Sequence, residues 1–219
     1  MDSQTNQLDY LWANCDHPAD VIAKLAGRLS EQGRSFEAGE VYFYLAEKRC
    51  RTKFYDAALQ EFLLFLERIK ADRPNDAALL ALAYRKAGEA CMHSSMLYRE
   101  PTLAGDYLRS AYAIYKAHLP ELAEELVLTC EMLAFHLFSI ATEYRSEEMD
   151  LAIRYDREAI ALLDKYFPND SDWKGAFLRN LGYLHEQQGD DRQAESCYIA
   201  ALNLEFQYHA SDYQRRFYS

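Results

Sequence analysis

Glycine and proline are scarce in this chain, with eight and five among 219 residues. Sheet proteins of this size need many turns, and turns draw on these two residues, so the scarcity favours long helices over β architecture. Basic residues are in deficit as well. Twenty-four Lys and Arg stand against 35 Asp and Glu, for a net charge of −11. A body of that sign repels phosphate backbones and anionic lipid, so no nucleic-acid partner is expected. No run of five or six basic residues offsets it. The densest cluster, Lys48, Arg49, Arg51 and Lys53, reads as a solvated helix end. Long apolar runs are missing too. Ala77 to Tyr84 and Met132 to Ala141 fall far below the roughly 18 residues of a membrane span, so no membrane insertion is expected.

Targeting and redox signals are equally thin. The opening MDSQTNQLDYLWANCDHPAD has neither a positive n-region nor an apolar h-region, so no signal peptide is expected. The five cysteines (Cys15, Cys50, Cys91, Cys130 and Cys197) are odd in number, widely spaced and without a Cys-x-x-Cys pair. Reduced, mostly structural thiols in a cytoplasmic compartment follow.

Catalytic signatures do not occur. The chain has no Gly-x-Gly-x-x-Gly, no Gly-x-x-x-x-Gly-Lys and no Gly-x-Ser-x-Gly. Its six His never fall as His-x-x-x-His, and His185-Glu186 lacks a second His one turn on, which makes it a poor zinc site. Cys91 and His93 are two residues apart, so on a helix they point roughly 200° away from each other and cannot pair. Carboxylate pairs such as Glu124-Glu125 and Glu147-Glu148 read as solvated helix faces. The expectation is no enzyme, no cofactor and no metal.

What the chain does contain is helical periodicity. Half its residues are hydrophobic and 27% are charged, an ordinary globular composition. Val21, Ile22, Leu25, Ala26 and Leu29 form one apolar stripe, and Leu59, Phe62, Leu63, Leu66 and Ile69 form another at the same i, i+3, i+4, i+7 spacing. The pattern predicts helices over 20–32, 35–51, 54–71, 75–93, 102–117, 119–144, 147–166, 172–188 and 190–207. Gly33 can adopt a left-handed C-cap. Pro74, Pro101, Pro120 and Pro168 cannot continue a helix, and Asp170 or Ser171 can cap the next one.

Self-similarity then separates a bundle from a stack of hairpins. The last segment reads Leu178-Arg179-Asn180-Leu181-Gly182-Tyr183-Leu184, then Gln188-Gly189-Asp190, then Ala194, Tyr198, Ala201 and Leu202. This pattern resembles the tetratricopeptide repeat: a Leu-Gly pair on a first helix, a Gly-Asp turn and small Ala residues on a second. Gly182 and Ala194 would let the two helices touch, Ala201 would admit the next helix, and Tyr198 would fill the gap. Earlier copies place Ala58, Ala104 and Ala152 where the last has Ala194, at separations of 46, 48 and 42 residues against a 34-residue consensus. The resemblance covers about residues 36 to 207. It implies an all-α fold of four antiparallel helical hairpins behind one leading helix, stacked as a tetratricopeptide-like right-handed superhelix. A polar segment at 1–19, a helical domain at 20–207 and an aromatic tail at 208–219 complete the organisation. An irregular all-α bundle is the competing architecture.

In such a stack the first helix of each hairpin lines a concave groove. Projecting the repeat register puts Phe43, Tyr44, Glu47 and Arg51 there from the first unit and Arg85, Lys86, Glu89 and His93 from the second. Arg179, Asn180, Tyr183 and Gln187 come from the fourth; the third unit's register is fixed only to about one residue and adds none. Arg offers a planar fork for carboxylates, Tyr offers amphipathic area and Asn can pair with extended backbone. The expected function is therefore a non-catalytic adaptor, scaffold or chaperone-like module that binds a short acidic or C-terminal peptide segment. In the alternative, the same cations pair with neighbouring Glu and the aromatics pack the interior. Phe43 and Glu47 stand where the Lys and Asn of a chaperone-tail clamp belong, and only Asn180 fits its slot, which argues against that receptor class. A signalling-peptide-gated regulator and a SNAP-type vesicle-fusion adaptor are further alternatives. Four aromatics beyond Phe206 (Tyr208, Tyr213, Phe217, Tyr218) would either cap the final apolar face or dock on a second copy, so a homodimer is the open oligomeric expectation.

Overall fold

Three of the chain's turns share one hydrogen-bond arrangement, and it sets where helices stop. Gly33 and Gly189 both take φ +74°, and Lys53 takes φ +64°. The residue after each donates its N–H five residues back: Arg34 to Leu29 O, Phe54 to Arg49 O and Asp190 to His185 O, each at 2.9 Å. These are Schellman stops, which satisfy carbonyls the helix leaves open and favour Gly at the left-handed position. Aspartates handle the opposite ends. Asp76 accepts from Leu79 N, Asp170 from Trp173 N and Asp190 from Gln193 N, at 3.1, 3.1 and 3.2 Å.

The structure is a computed structural model that describes residues 19–141 and 147–218, with side chains described as far as residue 206. The expected polar segment at 1–19, with Cys15 and His17, lies outside the described residues except for Ala19. The described helices are α1 (Ala19–Glu31), α2 (Ser35–Arg51), α3 (Tyr55–Asp72), α4 (Ala77–His93), α5 (Met96–Arg99), α6 (Leu103–Ala117), α7 (Ala123–Ile140), α8 (Glu147–Tyr166), α9 (Ser171–Gln187) and α10 (Asp191–Tyr218). No strand occurs among the described residues.

Three features depart from the sequence pattern. The one-turn helix α5 was not anticipated; it occupies the α4–α6 connection, where Ser95 donates both its N–H and its hydroxyl to Asp56 Oδ1 at 2.8 Å. Helix α7 is shorter than 119–144: it starts only at Ala123, behind Pro120, and ends where Ala141 turns extended at ψ 122°. Helix α10 runs on to Tyr218 instead of ending at 207, since neither Gly nor Pro interrupts residues 191–218. The side chains of the expected tail lie outside the described residues.

The helices pair as antiparallel hairpins α2/α3, α4/α6, α7/α8 and α9/α10, led by α1. Close approach inside the pairs is built from missing side chains. A Cβ at Gly88 would lie 2.7 Å from Leu108 Cγ, and one at Gly182 would lie 2.7 Å from Tyr198 Cε1. Ala58, Ala104 and Ala152 are fully buried on the second helices, and Ala194 is nearly so. Tyr198 thus sits against Gly182, which is where the gap it was expected to fill lies.

The chain divides into two units, Met1–Ile114 and Tyr115–Ser219. In the first, Ile22, Ala26 and Leu29 of α1 pack on Val41, Tyr44 and Leu45 of α2, while Phe65, Leu66 and Ile69 of α3 pack on Ala83 of α4. In the second, Ala134 and Leu137 of α7, Met149, Ala152 and Ile153 of α8, Leu181 and Leu184 of α9 and Cys197 of α10 form one cluster.

Candidate functional site

Hairpin geometry gives each unit a face made of its first helices: α2 with α4 in the first unit, α7 with α9 in the second. Most of the side chains expected on the first face serve the interior. Tyr44 is only 8% exposed, because α1 packs over that side of α2. Arg85 is 7% exposed, since it falls in the enclosed stretch of α4 that also buries Ala81, Ala83, Ala87 and Ala90. Phe43 is half-buried, its ring 5.5 Å from that of Phe62 and 4.9 Å from that of Phe65. Lys86 is held between two carboxylates, Glu47 at 2.8 Å and Glu89 at 3.2 Å. Arg51 is exposed at the end of α2, and His93 is exposed with its ring 5.0 Å from that of Tyr55.

Beneath this face lies a charge network in which Lys86 pairs with neighbouring Glu, as the alternative reading had it, and to which Arg49 and Glu61 add a pair that no motif marks. Arg49 pairs with Glu61 at 2.7 Å, so α2 is tied to α3, and the Glu47–Lys86–Glu89 triad ties α2 to α4. Burial raises the Glu61 carboxyl to about 7 against the opposing pull of the Arg49 guanidinium. Burial, reinforced by Glu47 and Glu89, pushes the Cys50 thiol up to about 11, so this cysteine is a poor nucleophile. A sequence signal did exist: Glu61 falls three residues after Ala58, inside the apolar stripe of α3.

The second unit offers a more open face. Tyr183 is 44% exposed, and its ring meets that of Phe138 edge-on at 5.4 Å. Phe135, one turn earlier on α7, is 56% exposed. Asn180 is exposed beside them on α9, and Gln187 is half-buried one turn beyond Tyr183. Arg179 borders the patch in an ion pair with Glu205 of α10. The sequence pattern does not single out Phe135 and Phe138, because it fixes the third hairpin's register only to about one residue, although two aromatics three residues apart on one helix are a readable signal.

Perturbed acids mark many active sites, and the second unit has such a group. Burial raises Asp156 to about 7, with repulsion from Glu131 adding to it. Asp156 is only 1% exposed, which closes it to any substrate. Burial also pushes the Cys130 thiol up. His185 is buried, with Nε2 3.3 Å from Arg157 Nη2, and burial lowers its pKa. Among the described residues, no three His, Cys, Asp or Glu side chains gather closely enough to hold a metal ion, and no helix is long and apolar enough to cross a membrane.

No protein-family profile matches the sequence, and no curated protein matches it. Solved structures do. The crystal structure of MamA is similar at a TM-score of 0.65 and 17% identity, over 96% of this chain and 98% of that one. A fragment, MamA 41-end from Desulfovibrio magneticus RS-1, is similar at 0.55 and 16%, over 86% and 96%. At such identities the likeness concerns the fold. The chain has an all-α, tetratricopeptide-like fold of antiparallel helical hairpins.

Proposed function

We propose that the chain is a non-catalytic, cytoplasmic protein-interaction module that holds a peptide segment against the α7/α9 face. The observation that carries this reading is the Phe135–Phe138–Tyr183 patch. A fold of this size has ample interior in which to bury aromatics, yet Phe135 and Tyr183 stay about half exposed beside Asn180. Aromatic rings of this kind anchor a partner with large area and little loss of side-chain entropy, and Asn180 supplies an amide that can pair with extended backbone. The preference for an acidic segment rests on Arg179. A carboxylate of the partner would displace Glu205 from that guanidinium, an exchange of one charge-assisted pair for another. Arg51 and His93 are proposed as exposed contacts of the first unit's own face, taken by itself. Arg85, Tyr44, Phe43 and Lys86 support it there as packing and charge groups of the interior.

A phage-displayed peptide library selected against the whole chain tests the reading. Enriched peptides should carry acidic residues next to an apolar anchor and should lose binding to the Phe135→Ala/Tyr183→Ser variant. Peptides that bind wild type and variant alike would refute the proposed face.

A further inference from the structure

Of the three left-handed helix stops, one differs from the others in the residues it carries. Gly33 and Gly189 hold the left-handed position in two of them, each followed by a charged residue, Arg34 and Asp190. The α2–α3 turn instead has Lys53 at φ +64° with Phe54 after it. A side chain at that φ meets a steric penalty that glycine escapes. Phe54 is 64% exposed, so its ring does not fill the interior. Backbone strain and an exposed aromatic at adjacent positions both oppose stability, and features of this kind gather where a surface meets a partner.

A second loop lies beside this turn. Ser95, the residue before α5, donates its N–H and its hydroxyl to Asp56 Oδ1, both at 2.8 Å. Just ahead of it, the His93 ring stands 5.0 Å from that of Tyr55. These contacts fix the place of Tyr98, three residues after Ser95 and 89% exposed. Arg99 follows it, also exposed. The Ser95 hydrogen bonds, with Arg99 behind them, hold the Asp56 carboxyl below its ordinary range. One end of the first unit thus presents two aromatics, each within three residues of the Asp56–Ser95 clamp.

Charge says what this end fits. Residues 48–56 and 93–100 hold five Lys and Arg against two carboxylates, Asp56 and Glu100, in a chain of net charge −11. Arg49 is committed to Glu61, and Asp56 Oδ1 to Ser95. Arg51 and Lys53 are exposed, and no carboxylate among the described residues pairs with either. Exposed aromatics beside such cations match an acidic peptide segment that carries an apolar residue. Its carboxylates would meet Arg51, Lys53 and Arg99, and its apolar side chain the two rings. A long phosphate backbone would also meet the acidic body around the patch, which repels it.

We propose that this end of the first unit, centred on Lys53, Phe54 and Tyr98, docks an acidic peptide segment with an aliphatic or aromatic anchor. It does not rest on the α7/α9 reading, which concerns the other unit. The test uses the full chain carrying Phe135→Ala/Tyr183→Ser, so that the α7/α9 face is already removed. A phage-displayed peptide library selected against it should enrich peptides with Asp or Glu beside an apolar residue. Adding Phe54→Ser/Tyr98→Ser, at two exposed positions, should keep the helical circular dichroism. It should weaken those peptides about tenfold or more in fluorescence polarisation. Adding Lys53→Gly should weaken them about threefold while raising Tm, a loss of binding that damaged folding cannot explain. No enrichment on this chain, or peptides indifferent to Phe54→Ser/Tyr98→Ser, would overturn the proposal. So would a single-stranded oligothymidylate that binds this end more tightly than the peptides, which would make it a nucleic-acid surface. Lys53→Gly binding as tightly as its parent would overturn the part assigned to Lys53.

Discussion

Replacing one glycine by alanine should have opposite effects at two positions of the first unit. Gly27 lies in α1 with nothing within 4 Å of the place its Cβ would occupy. The substitution there removes backbone entropy from the unfolded chain and should stabilise by about 0.5–1 kcal/mol. Gly88 lies in α4, where the same methyl would meet Leu108 Cγ at 2.7 Å, Cδ2 at 2.9 Å and the Ala104 carbonyl oxygen at 3.2 Å. Carbon atoms rest at roughly 3.5–4.0 Å, so the overlap approaches an ångström. Leu108 is fully buried, so neither it nor the α6 backbone can move aside freely. Overpacking of that kind costs about 1–3 kcal/mol, against which the helix preference of Ala returns at most about 1. Gly88→Ala should therefore lose about 1–2 kcal/mol. Leu108→Ala alone should lose about 2–5 kcal/mol through the cavity it opens. In that background Gly88→Ala should become stabilising, because the two overlaps under 3 Å are gone and only the Ala104 carbonyl oxygen at 3.2 Å remains, and the cycle should report a coupling of about 2 kcal/mol. All these positions belong to the first unit, so they report on the same transition. Urea unfolding followed at 222 nm measures each variant, with an unchanged m-value as the control. If Gly88→Ala stabilises in both backgrounds, the close-approach account of the α4/α6 hairpin is wrong.

The remaining predictions concern turns, caps and titration. Lys53 holds φ +64° where its counterparts Gly33 and Gly189 need no side chain, so Lys53→Gly should raise stability by about 1 kcal/mol, read as a Tm increase of roughly 2–4 °C. Asp170→Ala should cost about 1 kcal/mol, because Trp173 N loses its acceptor; an unchanged urea midpoint would refute the cap. Asp156 has its carboxyl raised from 3.8 to about 7 in the folded chain. The folded state therefore keeps a proton that the unfolded state releases, and stability falls as pH rises between about 4 and 7. Asp156→Asn should gain on wild type across that window by on the order of 4 kcal/mol, and a difference independent of pH would show that the carboxyl is not held protonated.

Most helices and their pairing are legible in the residues alone, because both depend largely on local chemistry. Periodic apolar stripes, Gly33 and Gly189 at left-handed stops and Asp170 at a helix start act over a few residues, so helix boundaries were legible to within a turn almost everywhere. Gly182, Ala194 and Tyr198 told of a close helix crossing for the same reason: a repeat pattern records which positions must stay small. The exceptions were also physical. Helix α5 depends on Asp56 reaching Ser95 from 39 residues away, a contact no local pattern carries.

The fate of the candidate site was decided by tertiary structure. Register alone put Tyr44 and Arg85 on a groove, yet a residue's angle on its helix does not say what the neighbouring helix covers. Helix α1 covers Tyr44, and the enclosure of α4 takes Arg85. Burial likewise sets the Glu61 and Asp156 carboxyls far above their ordinary values, an effect of the surrounding dielectric and not of residue type. Phe135, Phe138 and Tyr183 became one face only when α7 and α9 came to lie side by side. Residue type and spacing supply the candidates; the helices packed around them decide which side chains are left in reach of a partner.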